Sequence, residues 1–230
     1  MNNETKDSQD LSKEEIMKLL KEKGFLDNAK ENFLSLKQLM TCYRCAMMEI
    51  ETKLNVLNEE LSLRQDRNPI SSIKSRIKSI PSIISKIERR GLTPSIEQIE
   101  KNVNDVAGIR VCCPFVEDVY MIADALLSQD DLTLVSKKDY IKNPKENGYR
   151  SLHLIISVPI YLVNEKKQVK VEVQMRTIAM DFWASIEHQL RYKKNNKFTQ
   201  AMTEDLLNCA EISAELDNKM SSLRNLILSD

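Results

Sequence analysis

Val171-Glu172-Val173-Gln174-Met175-Arg176-Thr177 alternates apolar and polar residues along its length. That period belongs to a strand, because successive side chains leave the pleat on opposite faces. One face then carries Lys170, Glu172, Gln174 and Arg176, and the other Val171, Val173 and Met175. Asn164-Glu165-Lys166-Lys167 separates this strand, read over 168–177, from an apolar run over 150–162, which is the pattern of a hairpin. The chain is therefore organised around a sheet with one apolar and one charged face.

The chain enters this hairpin through Lys145-Glu146-Asn147-Gly148-Tyr149-Arg150-Ser151-Leu152-His153. Gly148 marks a turn, and the residues around it bring an aromatic ring, two cations and a histidine into one small region. Tyr149, Ser151 and His153 share a parity. A carboxylate among cations, Glu172, with an exposed ring nearby suits a nucleotide phosphate held beside a catalytic metal.

Outward from the hairpin the pattern is mostly helical. Residues 11–22 read as a short helix capped at Ser12 with Glu15 three positions on. Phe33, Leu36, Met40, Tyr43, Met47, Ile50, Leu54, Leu57 and Leu61 predict a long helix over 29–65, ended by Arg67-Asn68-Pro69. A third helix is expected over 71–90, a strand over 107–115, a helix over 117–128 and a short strand over 132–136. Helices over 178–192 and 199–228 follow. The expected fold is α+β: a polar, flexible N-terminus over 1–10, a helical flank over 11–66, a catalytic-type core with a small mixed sheet over 67–192, and a second helical flank over 193–230.

Composition removes several classes of function. The 230 residues are 42% hydrophobic and 30% charged, as in a soluble globular protein. With 34 basic and 34 acidic residues there is no global field to collect DNA or RNA, so anion binding must come from local clustering. Residues 1–10 lack the apolar core of a signal peptide, and no apolar run approaches the ~20 residues of a membrane span. The expected location is the cytoplasm. Cys42 and Cys45 lie one helical turn apart and read as buried thiols, with no second pair to complete a zinc site. The four glycines, Gly24, Gly91, Gly108 and Gly148, form neither a P-loop nor a G-x-G-x-x-G turn. Any nucleotide phosphates must be gripped by side-chain cations.

Such cations are present. On a helix over 71–90, Ile73, Ile77, Ile80, Ile83, Ile84 and Ile87 would gather on one side and Lys78, Ser82, Lys86 and Arg89 on the other, with Pro81 bending the helix near Ile77. Three long cations and a hydroxyl on one arc suit a triphosphate. Asp105, just before the strand at 107, is a candidate Mg²⁺ ligand, since that ion takes one or two carboxylates plus phosphate oxygens. Gly108 would allow a close approach of ligand to backbone.

Five ordered segments carry a resemblance: Arg76-Ile77-Lys78 through Arg89; Asp105-x-x-Gly108-x-Arg110; Lys145-x-x-Gly148-Tyr149-Arg150-Ser151-x-His153; Glu172-Val173-Gln174-x-Arg176-Thr177; and Phe182-Trp183-Ala184-x-Ile186-Glu187-His188. Together they resemble the synthetase domain of the RelA/SpoT family, most closely its small alarmone synthetases of the RelP/RelQ type. The resemblance implies a nucleotidyltransferase-like core that transfers the β,γ-pyrophosphate of ATP to the ribose 3′-hydroxyl of GDP or GTP, releasing AMP. It implies that Arg76 and Arg110 sandwich adenine and that Lys78, Ser82, Lys86 and Arg89 hold the triphosphate. Asp105 and Glu172 would bind Mg²⁺, with Glu172 also the general base. Tyr149 would stack on guanine, with Lys145, His153 and Gln174 also on the acceptor. Some relatives carry Asn where this chain has Asp181, whose role stays open. The apolar stripes over 29–65 and 199–228 point to self-association, and the resemblance implies a homotetramer. Some relatives are stimulated by their product through an aromatic residue before the cation segment; Pro69-Ile70-Ser71-Ser72-Ile73-Lys74 has none, which favours the unstimulated RelP-type branch. Two other readings remain at this point: a different nucleotidyltransferase-type enzyme, and a non-catalytic nucleotide- or RNA-binding regulator.

Overall fold

The structure, a computed structural model, describes residues 14, 15, 18, 29–65, 67–192 and 199–227. Of the helix expected over 11–22 only Glu14, Glu15 and Lys18 are described, all helical. The rest of it, and the start of the C-terminal flank over 193–198, lie outside the described residues.

Strands β1 (Ser72–Ile77), β2 (Ala107–Cys113), β3 (Thr133–Asp139), β4 (Leu152–Tyr161) and β5 (Lys166–Thr177) form one mixed sheet in the order β1-β2-β5-β4-β3. The alternating strand β5 is central. β5 runs parallel to β2 and antiparallel to β4, and Leu162 N–H donates to Glu165 O at 2.8 Å across the hairpin turn. The helices are α1 (Ala29–Gln65), α2 (Ile80–Glu88), α3 (Ile96–Asn102), α4 (Val116–Leu127), α5 (Ile178–Tyr192) and α6 (Gln200–Ile227).

The period-2 pattern of β5 determines where the core sits. Val171, Val173 and Met175 are fully buried, beside Ile109 and Val111 of β2 and Leu154 and Ile156 of β4. Against them lie Leu36, Tyr43, Ile50 and Leu54 of α1 and Val119, Ile122 and Leu126 of α4. The expected boundaries of the long first helix, and those of α5, are met at both ends. Its apolar stripe, however, is largely consumed in covering the sheet. The long unpartnered stripe belongs to α6, where only Ala210 and Asp217 are buried and Ile212, Leu216, Leu223 and Ile227 are exposed. No helix among the described residues is long and apolar enough to cross a membrane.

One expectation is overturned. Residues 71–90 are not one helix: Ser72–Ile77 is an edge strand paired antiparallel with β2, and α2 begins only at Ile80. The spacing of Ile73, Ile77, Ile80, Ile84 and Ile87 fits a helix, but Ile73, Ser75 and Ile77 also alternate with Lys74 and Arg76. Pairing with β2 decides between the two periods, and Pro81, which could not donate to Ile77 O, bars a single helix from running through the segment. Pro81 therefore starts the helix instead of bending it: it occupies the first turn of α2, where a missing N–H leaves no hydrogen bond unmade.

Candidate active site

The register of the sheet sets out the site. On the face opposite the core, Arg76, Gly108 and Glu172 lie side by side across β1, β2 and β5. The next row is Lys74, Arg110, Gln174 and His153, continued to Lys138 on β3. Moving Arg76 from a helix to β1 places it on the same sheet face as Arg110, two residues from it in the pairing. Gly108 leaves a gap in its row: a Cβ there would meet nothing nearer than Arg76 O at 3.7 Å. The protein's own packing does not require glycine here, so the gap is space open to a ligand.

Asp105 hangs from the loop between α3 and β2. Lys170 secures that loop, its Nζ donating to Glu100 O at 3.3 Å, Lys101 O at 3.5 Å and Asn104 Oδ1 at 3.3 Å. A lysine at the carbonyl end of a helix also opposes its dipole favourably. Lys78 Nζ reaches Asp105 Oδ2 at 3.0 Å and Lys86 Nζ reaches Oδ1 at 2.8 Å. Burial pushes the Asp105 carboxyl up, but the two lysines outweigh it and hold the group below the usual carboxylate range. Oδ1 is buried and makes its Lys86 contact as an ion pair without hydrogen-bond alignment. Ser82, Lys86 and Arg89 share one side of α2, where Ser82 and Arg89 are exposed and bonded locally, to Ser79 Oγ (2.9 Å) and Ser85 O (3.3 Å).

Glu172 is half-buried. Burial raises its carboxyl, and His153 and the hydrogen bond from Gln174 together more than offset this, leaving it below its ordinary value with Asp105 pushing the other way. Gln174 Nε2 donates to Glu172 Oε2 at 2.9 Å, and His153 Nδ1 lies 3.6 Å from Oε1. The charged form, the one that can bind a metal or take up a proton, is thereby favoured. Asp105 and Glu172 are a pair, not a closed cage, and among the described residues no group of three or more His, Cys, Asp or Glu could hold a metal. Two hard carboxylates completed by phosphate oxygens suit Mg²⁺.

The glycine turn delivers the aromatic part. Gly148, at φ +84°, adopts a backbone conformation that costs other residues strain. Tyr149 beside it packs on Trp183, Ala184 and Ala210. Trp183 is a core anchor, 5% exposed with Nε1 donating to Leu206 O at 2.9 Å. The Tyr149 hydroxyl shares a 2.8 Å hydrogen bond with His153 Nε2 and accepts from Arg176 Nη2 at 2.6 Å. Lys145 Nζ sits 4.8 Å from the Tyr149 ring centre and 4.7 Å from that of Tyr140.

The match to known proteins follows this geometry. The sequence pattern described as "Region found in RelA / SpoT proteins" fits residues 75–197, more than half of the chain. The chain belongs to the RelA/SpoT family. It is 41% identical over 199 residues to the GTP pyrophosphokinase YwaC of Bacillus subtilis, covering 86% of this chain and 95% of that one. To the GTP pyrophosphokinase YjbM of the same organism it is 36% identical over 188 residues, covering 82% and 88%. The fold superposes on the crystal structure of small alarmone synthetase 2 from Bacillus subtilis with a TM-score of 0.75 at 42% identity, covering 83% of this chain and 98% of that one. On small alarmone synthetase 1 from the same organism, bound to its product pppGpp, the TM-score is 0.76 at 35% identity, covering 84% and 98%.

In this RelA/SpoT-family chain the structure brings together Arg76, Lys78, Lys86, Asp105, Arg110, Lys145, Tyr149, His153, Glu172 and Gln174. Three residues with site contacts carry no role in the sequence pattern. Tyr140 meets His153 edge-on at 5.3 Å and Tyr149 at 6.1 Å, but only the extension of β3 to Asp139 places it there. Arg176, 4% exposed, lies on the polar parity of β5, which is the sequence signal that marks it. Lys170 shares that parity. A cleft of about 560 Å³ between α1, α3 and the β4–β5 turn, lined by Leu39, Cys42, Ile96 and Leu162, holds none of the candidate site residues.

Proposed function

We propose that this chain is a GTP/GDP pyrophosphokinase that transfers the β,γ-pyrophosphate of ATP to the ribose 3′-hydroxyl of GDP or GTP, forming ppGpp or pppGpp and AMP. The observation that carries the reading is one sheet face, in a RelA/SpoT-family chain, that sets Arg76, Arg110, Glu172, Gln174 and His153 in two adjacent rows, with the cation-clasped Asp105 on the loop that leads into it. Arg76 and Arg110 flank adenine, and Lys78, Ser82, Lys86 and Arg89 take the triphosphate. Tyr149 stacks on guanine, while Lys145, His153 and Gln174 contact the acceptor.

The step follows from these positions. Glu172 takes the proton of the 3′-hydroxyl, whose oxygen bonds to the β-phosphorus. The bond from that phosphorus to the oxygen bridging it to the α-phosphorus breaks, and AMP departs with the electron pair. Such a reaction needs alignment and charge neutralisation more than covalent help. Mg²⁺ held by Asp105 and Glu172 would supply part of that neutralisation at the phosphate oxygens. In the nucleotide-free protein Lys78 and Lys86 lie on Asp105; an incoming triphosphate offers them a stronger partner.

The exposed series Ile178, Phe182, Ile186 and Leu190 on α5, with the uncovered stripe of α6, supports self-association as a homotetramer. The enzyme works in the cytoplasm, with its nucleotides, and takes no membrane, DNA or RNA partner. Incubation with Mg²⁺, ATP and GDP or GTP tests the activity. AMP and a 3′-pyrophosphorylated guanosine nucleotide are expected; release of inorganic pyrophosphate, or no product, overturns it. A stable monomer in light scattering at micromolar concentration overturns the assembly.

A further inference from the structure

Asp181 stands where the two halves of the site meet. It lies in the first turn of α5, directly after β5 ends at Thr177, whose Oγ1 accepts from Met180 N–H at 3.1 Å and so orients that turn. Asp181 Oδ1 accepts from Arg176 Nη1 at 3.1 Å and lies 3.3 Å from Arg110 Nη1. One carboxylate therefore serves two guanidiniums that would otherwise repel each other at close quarters. Burial, with Arg176 next, pulls Arg110 below its ordinary value, and Asp181 pushes back.

The two arginines lead in different directions. Arg110 belongs to the row that faces adenine. Arg176 passes the contact on: Nη2 donates to the Tyr149 hydroxyl at 2.6 Å and to Gln174 Oε1 at 3.2 Å, and its guanidinium carbon lies 5.0 Å from the centre of the Tyr149 ring. Arg176 is 4% exposed, too buried to change partners freely. Asp181 is the carboxylate that reaches both, at 3.1 Å from Arg176 and 3.3 Å from Arg110, while the Nε of each arginine is buried without a hydrogen-bond partner.

We propose that Asp181 is a positioning residue that holds Arg110 on the ATP side and, through Arg176, Tyr149 on the acceptor side, coupling the two nucleotide subsites through one carboxylate. The inference rests on the two-subsite reading above. In this chain the acid balances the charge of the buried Arg176 and the half-exposed Arg110, which an amide carbonyl, though it accepts hydrogen bonds, cannot do.

The test measures binding and rate separately for Asp181→Ala and Asp181→Asn. Each variant should weaken binding of a non-hydrolysable ATP analogue and raise KM for GDP, each by about tenfold, with a smaller fall in kcat. In a Tyr149→Phe background, which lacks the hydroxyl that Arg176 reaches, Asp181→Ala should cost less acceptor affinity than in the wild type while costing the same ATP-analogue affinity. Loss of acceptor affinity alone, with ATP-analogue binding unchanged, would mean that Asp181 touches the acceptor directly and would overturn the proposal. So would full additivity with Tyr149→Phe, or wild-type values in the Asn variant. Tyr149→Ala is the control: if it spares acceptor affinity, the two-subsite reading itself fails, whereas a normal Tyr149 result with a silent Asp181 sinks the coupling alone.

Discussion

Gly148→Ala probes how the C-terminal helix supports the acceptor side. At φ +84° an alanine costs about 1–2 kcal/mol against the glycine. Its Cβ would also fall 2.5 Å from Ala210 Cβ and 3.2 Å from Leu207 Cδ1, both on α6. Ala210 has no flexible end to swing aside, so the turn or the helix must shift, an overpacking cost of about 1–3 kcal/mol. Together these predict a loss of ~2–5 kcal/mol, a large part of the 5–15 kcal/mol typical of a domain. Because Tyr149 is the next residue and packs on Ala210, the shift should raise KM for GDP more than for ATP. Urea unfolding of Gly148→Ala, Ala210→Gly and the double variant separates the two terms. Ala210→Gly alone should cost about 1 kcal/mol of helix propensity. In the double variant it should restore the packing part and leave the backbone part, a coupling of about 1–3 kcal/mol. If Gly148→Ala unfolds within about 0.5 kcal/mol of wild type, or if the two changes simply add, α6 does not press on the turn and the argument fails.

Glu172→Gln and Asp105→Asn should each lower kcat by at least the ~10²–10⁴-fold of a lost general base or metal ligand, with melting temperature kept near wild type; activity within a few-fold would remove that residue from its role. Lys170→Met should loosen the loop that carries Asp105 and raise the Mg²⁺ concentration for half-maximal rate, and an unchanged Mg²⁺ titration would refute it. Asp217 is buried on α6, where Thr177 Oγ1 donates to it at 2.6 Å, and burial pushes its carboxyl above the ordinary value against Thr177 and Arg150. A carboxyl raised in the folded state lends most stability while protonated, below its unfolded pKa, and loses it as pH rises through the folded value. Asp217→Asn should therefore melt higher than wild type at pH 7, with the gain shrinking towards pH 4; a gain that grows on acidification would reverse the sign. Adding pppGpp to initial-rate assays should give no stimulation, since Pro69–Lys74 offers no ring to hold it; a several-fold rise at micromolar effector would contradict this.

Local pattern by itself determined the helices over 29–65 and 178–192, the hairpin of β4 and β5, and the polar face with Glu172 and Gln174. Each depends on periods of two or 3.6 residues and on turn chemistry, which a chain carries wherever it folds. Lys78, Lys86, Asp105, Tyr149 and His153 could be picked out as site candidates because ion and ring chemistry is written in residue type. The segment 72–77 was not, because its isoleucines satisfy both periods and only β2, some thirty-five residues on in the register, supplies the backbone partners that make it a strand. Tyr140, Arg176 and the double duty of Asp181 were decided the same way, by which strands pair and how α5 leaves the sheet. Gly148 shows both levels at once: its turn is local, while Ala210 reaches it from 62 residues away on a helix whose sequence says nothing of where it docks.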